Sequence, residues 1–168
     1  MAKLKTIVES IDPISIIKDH ISKYGARGEQ RSYSLSVDGI PISLNIMAMD
    51  DHPDKDYFMK GKNLKVGGIA GHKININVIY VYGEIRDIDY QLLLDTIRYV
   101  VHHEYEHPEG DVQNDYHMAE HELHADANAI NKLGIETWEE LARVAPHLPI
   151  DNMAWREQLN KRLRTKLR

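Results

Sequence analysis

Residues 103–107 read His-Glu-Tyr-Glu-His, the one place in this chain where side-chain type and spacing together specify a reaction. Residues four apart on a helix lie one above the other, so His103 and His107 can present two imidazoles to a single metal ion. Glu104 then stands beside the ion rather than on it, where a carboxylate can take a proton from a metal-bound water. Two imidazoles, a zinc ion and a general base are the smallest set that hydrolyses an amide.

The helix that must carry this motif is legible upstream. Stepping back from His103 by roughly 100° per residue, Leu92, Leu93, Thr96, Tyr99, Val100 and His107 fall within roughly 80° of it. Gln91, Asp95, Arg98 and His102 fall on the opposite side. The expectation is one buried stripe holding both motif histidines, with Arg98 and His102 facing solvent. The chain has 10 histidines, so periodicity, not histidine content, is what separates His103 from its neighbour His102.

A catalytic zinc needs a third protein ligand and keeps its fourth position open for water. Pro108 and Gly110 should stop the first helix just after His107, and a second helix is expected over residues 116–133. Around Glu122, the residues Met118, Ala119, Ala125, Ala129 and Leu133 form an apolar face, with Asp126 roughly 40° away. A carboxylate in the middle of such a face is unfavourable unless a positive charge neutralises it, which makes Glu122 the expected third ligand. His117, His121 and His124 fall toward the polar side and, with Asp126, are the alternatives. Alanines 119, 125 and 129 would let the two helices approach closely. Tyr116 or His117, at the start of the second helix, could donate to a developing oxyanion.

Residues 122–129, ELHADANA, resemble the ExxAD segment that follows HExxH in gluzincin-type metallopeptidases. They are similar also to the ExEAxxFA segment of ImmA/IrrE-type metallopeptidases, with His124 and Asn128 standing where that pattern has an acidic residue and Phe. The resemblance spans residues 89–133 and implies a zinc metallopeptidase with Glu122 as third ligand. It implies for Asp126 a hydrogen bond that orients a zinc-binding imidazole. Relatives of the ImmA/IrrE type cleave specific regulatory proteins, so a particular protein or peptide substrate is implied. The metzincin pattern HExxHxxGxxH does not fit, because Gln113 occupies the last histidine position.

The rest of the chain constrains what surrounds this centre. Its 168 residues carry a net charge of −5 and no cysteine, which excludes disulfides, thiolate metal sites and cysteine nucleophiles. No apolar run reaches 18 residues, so no membrane span is expected, and Glu9, Asp12, Lys18 and Asp19 interrupt the N-terminal isoleucines, unlike a signal peptide. The expected location is cytoplasmic.

Residues 3–24 read as one or two helices, with Asp12-Pro13 as an N-cap and first-turn pair and Gly25 as a stop. Residues 32–36 and 40–48 read as strands joined by Asp38-Gly39, a strong hairpin signal. Residues 50–56 read as a solvated acidic loop and residues 61–71, with four glycines, as a flexible loop beside the cleft. Residues 73–82 alternate as a half-buried strand; by analogy with zincins, it or its hairpin partner would be the edge along which an extended peptide docks. Residues 152–168 read as a helix with Trp155, Leu159 and Leu163 on one stripe. Its basic remainder reads as a solvated face with cations favourably placed at a helix C-terminus, the alternative being to dock a partner, an acidic substrate or nucleic acid.

These readings combine into one α+β domain over residues 1–168. It is a small zincin-like unit with an N-terminal helix and short antiparallel or mixed sheet (1–88), the metal-site helices (89–133) and C-terminal helices (134–168). The expected activity is zinc-dependent peptide-bond hydrolysis with Glu104 as general base. The alternatives are an inactive zinc-binding regulatory protein and a metal-free helical module that docks a partner through the basic C-terminus.

Overall fold

A computed structural model describes residues 12–51, 64–69, 74–106 and 115–168. Asp12 caps the first helix, α1 (Pro13–Tyr24), accepting from the Ile14 N–H at 3.1 Å, while Pro13 sits in the first turn, where a missing N–H is harmless. Gly25 ends the helix at φ 57°, a backbone region open to glycine without steric penalty. Strands β1 (Arg31–Val37) and β2 (Ile40–Ala48) form the expected hairpin. Its two turn residues both take positive φ, Asp38 at 49° and Gly39 at 80°, as the right-handed strand twist favours.

The sheet is mixed, in the order β1-β2-β4-β3, with β3 (Leu64–Ile69) antiparallel and β2 parallel to β4 (Ile74–Tyr80). The β3 residues correct the expected glycine-rich loop. Gly67 and Gly68 pair with Asn77 and Ile76, because a ladder needs only backbone N–H and C=O groups and tolerates the missing side chains. β4 is therefore interior, and among the described strands β1 and β3 are the edges. Most of the expected acidic loop at residues 50–56 lies outside the described residues.

Among the described residues four further α-helices complete the α+β fold: α2 (Tyr90–Tyr105), α3 (Asp115–Leu133), α4 (Trp138–Val144) and α5 (Met153–Asn160). Asp89 caps α2 by accepting from the Leu92 N–H at 3.0 Å. No described helix is long and apolar enough to cross a membrane.

Among the described residues the core divides into two clusters that meet at α2. The first joins Ile14, Ile17 and Ile21 of α1, the inward side chains of β2 and β4, and Leu93, Ile97 and Val101 of α2. The second joins Tyr99 of α2 to Leu123, Ala127 and Ile130 of α3 and to Leu141, Leu159, Leu163 and Leu167. Fully burying one such aliphatic side chain is worth about 1.5–3 kcal/mol, so neither face of α2 is a minor contact. This corrects the single-stripe reading: Ile97 and Val101, left off that stripe, are fully buried against the sheet. His102 is corrected as well, whereas Arg98 keeps the solvent side expected of it, its side chain 39% exposed. Each places a nitrogen 2.9 Å from Asp38 Oδ2 at the hairpin tip, and the His102 side chain is only 12% exposed. Burial alone would raise the Asp38 carboxyl, but these hydrogen bonds outweigh it and hold its pKa below the ordinary value.

The C-terminus departs from the helix expected over residues 152–168. α5 ends at Asn160, whose side chain turns back to accept from the Leu167 N–H at 3.0 Å. The Asn131 side chain accepts from the Arg164 N–H at 3.1 Å, and the Arg168 backbone exchanges hydrogen bonds with Glu136 O and Trp138 N, each 3.1 Å. The Trp138 N–H is a first-turn donor that α4 itself cannot satisfy, so the non-helical tail supplies what a continued helix could not. Leu163 and Leu167 are buried, and the two tryptophans, Trp138 and Trp155, stand 6.3 Å apart beside them.

His20 of α1 is 1% exposed, boxed by the rings of Tyr24, Tyr33 and Tyr80, with Nδ1 2.9 Å from the Tyr33 hydroxyl. Burial, helped by the charge of Arg31, lowers its pKa from 6.5. The unfolded chain therefore binds this proton first, and the stability His20 confers is lost as pH falls from about 6.5 through the lowered folded value. The melting temperature of the parent should fall more steeply than that of His20→Gln between about pH 7 and pH 5, narrowing the gap between them. A gap that stays constant across the range would remove His20 from the acid response.

Candidate metal centre

His103 occupies the last turn of α2, where the unpaired carbonyls of a helix C-terminus favour positive charge nearby. Its side chain is 12% exposed and both ring nitrogens face carboxylates of α3. Nδ1 donates to Asp126 Oδ1 at 2.9 Å, and Nε2 stands 3.2 Å from Glu122 Oε2. Glu122 and Asp126 are one turn apart on α3, so their side chains project from one face and can address the two edges of a single imidazole. The close approach this requires comes from Ala125 and Ala129, both at 0% exposure in the face of α3. Ala119, the third alanine expected there, is exposed.

The buried face of α3 is centred differently from the expected one. Among its described side chains Leu123, Ala125, Asp126, Ala127, Ala129 and Ile130 are buried, which puts Asp126, at 2% exposure, in the middle of that face. Glu122 was expected there, yet its side chain is 49% exposed and stands at the rim. The difference follows from Leu123, Ala127 and Ile130, which pack against Tyr99 and the C-terminal helices and turn α3 toward them.

Asp126 has a second donor. The hydroxyl of Tyr99, itself 1% exposed, donates to the same Oδ1 at 2.7 Å, and the Tyr99 ring stacks along His103 with centroids 6.3 Å apart and planes at 28°. Burial, then the charge and hydrogen bond of Asp126 and the charge of Glu122, push the Tyr99 pKa well above its ordinary value, so the phenol stays a donor. For His103, burial pulls the pKa down, but the Asp126 hydrogen bond and the charges of Asp126, Glu122 and Glu104 outweigh it and the net shift is upward. Tyr99 was read from sequence only as a buried aromatic; its place one turn before His103 on the same helix face was the signal that it belongs to the site.

The other expected site residues are placed as follows. Glu104 is half-buried next to His103 on α2. α2 closes at Tyr105 with Glu106 as C-cap, earlier than the expected end, and His107 lies outside the described residues. Tyr116 and His117 lie in the first turn of α3, their side chains outside what is described. His121 is half-buried and His124 exposed, while Glu120 pairs with Arg162 of the C-terminal segment. Among the described residues no group of three or more histidine or acidic side chains is arranged to hold a metal.

The donor set fits zinc as far as it extends. Two ligands about 2.0–2.1 Å from a tetrahedral zinc stand roughly 3.3 Å apart, close to the 3.2 Å between His103 Nε2 and Glu122 Oε2. Nδ1–H held by a buried carboxylate would leave the Nε2 lone pair for an ion, the arrangement that carboxylates behind metal-binding imidazoles commonly enforce. No family model, curated protein or solved structure matches this chain significantly.

Because its pKa is raised, His103 keeps its proton to higher pH than a free imidazole, and a metal must displace that proton. Apparent zinc affinity should therefore fall as pH is lowered from about 8 to 6, measured by competition with a chromophoric chelator, and Glu122→Ala should weaken it at every pH. Affinity independent of pH over that range would show that His103 is not a ligand.

Proposed function

We propose that the chain is a zinc metallopeptidase that cleaves a particular protein substrate. The observation that carries the reading is His103, held by Asp126 on one ring nitrogen and facing Glu122 with the other. His103, His107 and Glu122 would hold the ion, and Asp126 orients His103. When bound, zinc would acidify water and polarise the peptide carbonyl.

Glu104 is the general base. It sits on the helix beside His103, accepts the proton of the attacking water and returns it to the leaving amine. Tyr116 or His117 supplies a hydrogen bond to the carbonyl oxygen as negative charge builds on it. An extended substrate pairs with the edge of β3, which as the antiparallel partner of β4 takes the docking role expected of that hairpin. The reading carries a zincin-like architecture and a cytoplasmic setting with it.

An inactive zinc-binding protein has less support, because a purely structural site has no use for a carboxylate in the position of Glu104. Docking of nucleic acid through the C-terminus also has less support. Lys161, Arg162 and Arg168 each meet a carboxylate, Glu157, Glu120 and Glu136 respectively, and the tail is hydrogen-bonded onto the protein.

Elemental mass spectrometry of untagged protein should find about one zinc per chain, reduced in Glu122→Ala. Glu104→Gln should retain the zinc and lose cleavage of a peptide library by roughly 10²- to 10⁴-fold, the usual weight of a general base. Full activity in Glu104→Gln would sink the mechanism, and a parent without metal after zinc reconstitution would sink the assignment.

A further inference from the structure

Tyr99 has a role in this centre that the HExxH pattern does not contain. Its ring would pack equally well as phenylalanine between α2 and α3, so packing does not account for the hydroxyl. That hydroxyl is aimed at one atom, Asp126 Oδ1, at 2.7 Å, and the same oxygen receives His103 Nδ1–H at 2.9 Å. Tyr99 and His103 are one turn apart on α2, whereas Asp126 projects from α3. The two donors are thus fixed relative to one another by a single helix, and the carboxylate must settle where both reach it.

A carboxylate with only one donor can swing about its Cβ–Cγ bond through the wide range of angles that a single hydrogen bond tolerates. Two donors converging on one oxygen from different directions narrow that swing. The imidazole is constrained in turn: its plane lies 28° from that of Tyr99, and its far nitrogen is directed at Glu122. We propose that Tyr99 is a positioning residue of the metal centre, its hydroxyl locking Asp126 so that His103 presents Nε2 to the ion. It touches neither metal nor substrate and acts through Asp126. The proposal rests on the zinc reading for its functional meaning, but the hydrogen-bonded chain can be tested without metal.

The experiment is a double-mutant cycle on zinc affinity, using zinc itself as probe, with Tyr99→Phe, Asp126→Ala and the double variant. Tyr99→Phe should weaken zinc about 10-fold or more, within the range typical of groups that orient a ligand, and should have no further effect once Asp126 is alanine. Affinity within about twofold of the parent, or an equal loss in the Asp126→Ala background, would overturn the proposal. In parallel, nitrogen-15 NMR of the metal-free parent and Tyr99→Phe reads solvent exchange of the His103 Nδ1 proton, which needs neither zinc nor the alanine variant to fold. Faster exchange in Tyr99→Phe is expected; an unchanged rate overturns the proposal. If the parent binds no zinc, the peptidase reading fails on its own, and the exchange rate alone decides whether Tyr99 positions the ring.

Discussion

A helix buried on two opposite sides can carry polar side chains only in the strips between them, and Tyr90–Tyr105 is such a helix. Leu93, Ile97 and Val101 hold it to the sheet while Leu92 and Tyr99 hold it to the C-terminal helices. On one remaining strip Arg98 and His102 grip the hairpin tip through Asp38; on the α3 side His103 meets Asp126 and Glu122. The helix therefore cannot rotate about its axis or slide by a turn without breaking both cores. The direction in which His103 points is inherited from that constraint.

Asp126 is the least favourable part of the arrangement and the most informative. Withdrawing a carboxylate from water costs several kcal/mol unless partners replace the lost hydration, and removing one partner of a buried pair typically costs about 3–5 kcal/mol. Asp126 sits at 2% exposure among alanines and leucines, where an apolar residue would pack with no such cost. Its two donors, Tyr99 and His103, make the position tolerable, and both come from α2. The buried charge thus sets which residues of α2 and α3 face one another, a specification that apolar contacts between a leucine-rich and an alanine-rich helix would not make alone.

What could be read from sequence follows how local each determinant is. The cap at Asp12, the stop at Gly25 and the turn at Asp38-Gly39 depend on neighbouring residues only, and all three are where the sequence places them. The second helix emerged from periodicity nearly to its ends. Periodicity failed where a helix has two buried faces, since a single hydrophobic direction then averages over both; Ile97 and Val101 were lost that way. It also misjudged the rotation of α3 by roughly 40°, because alanine gives little contrast and the packing of Leu123 and Ile130 decided the rotation. β3 was illegible because its glycines signal loops locally, while its pairing with β4 is a tertiary fact. The C-terminal tail was illegible for the same reason, its helix ended by bonds to Asn131, Glu136 and Trp138. At the site, the types of His103, Glu104 and Glu122 were plain in the sequence, but the hydroxyl of Tyr99 acquires its partner only when α3 folds back.

The placement of the two tryptophans has a practical consequence. Trp138 and Trp155 are the chain's entire indole content, and both belong to the cluster formed by the C-terminal helices. Emission excited in the indole band consequently reports on that half of the molecule alone, and Arg156, whose guanidinium lies 4.2 Å from the Trp138 ring centroid, is part of the local environment it senses. The sheet and α1 are spectroscopically separate, marked by Tyr24, Tyr33 and Tyr80 around His20. Agreement between the His20 imidazole resonances and tryptophan emission through an unfolding transition would mean that the two cores melt as one unit, with α2 as the mechanical link between them.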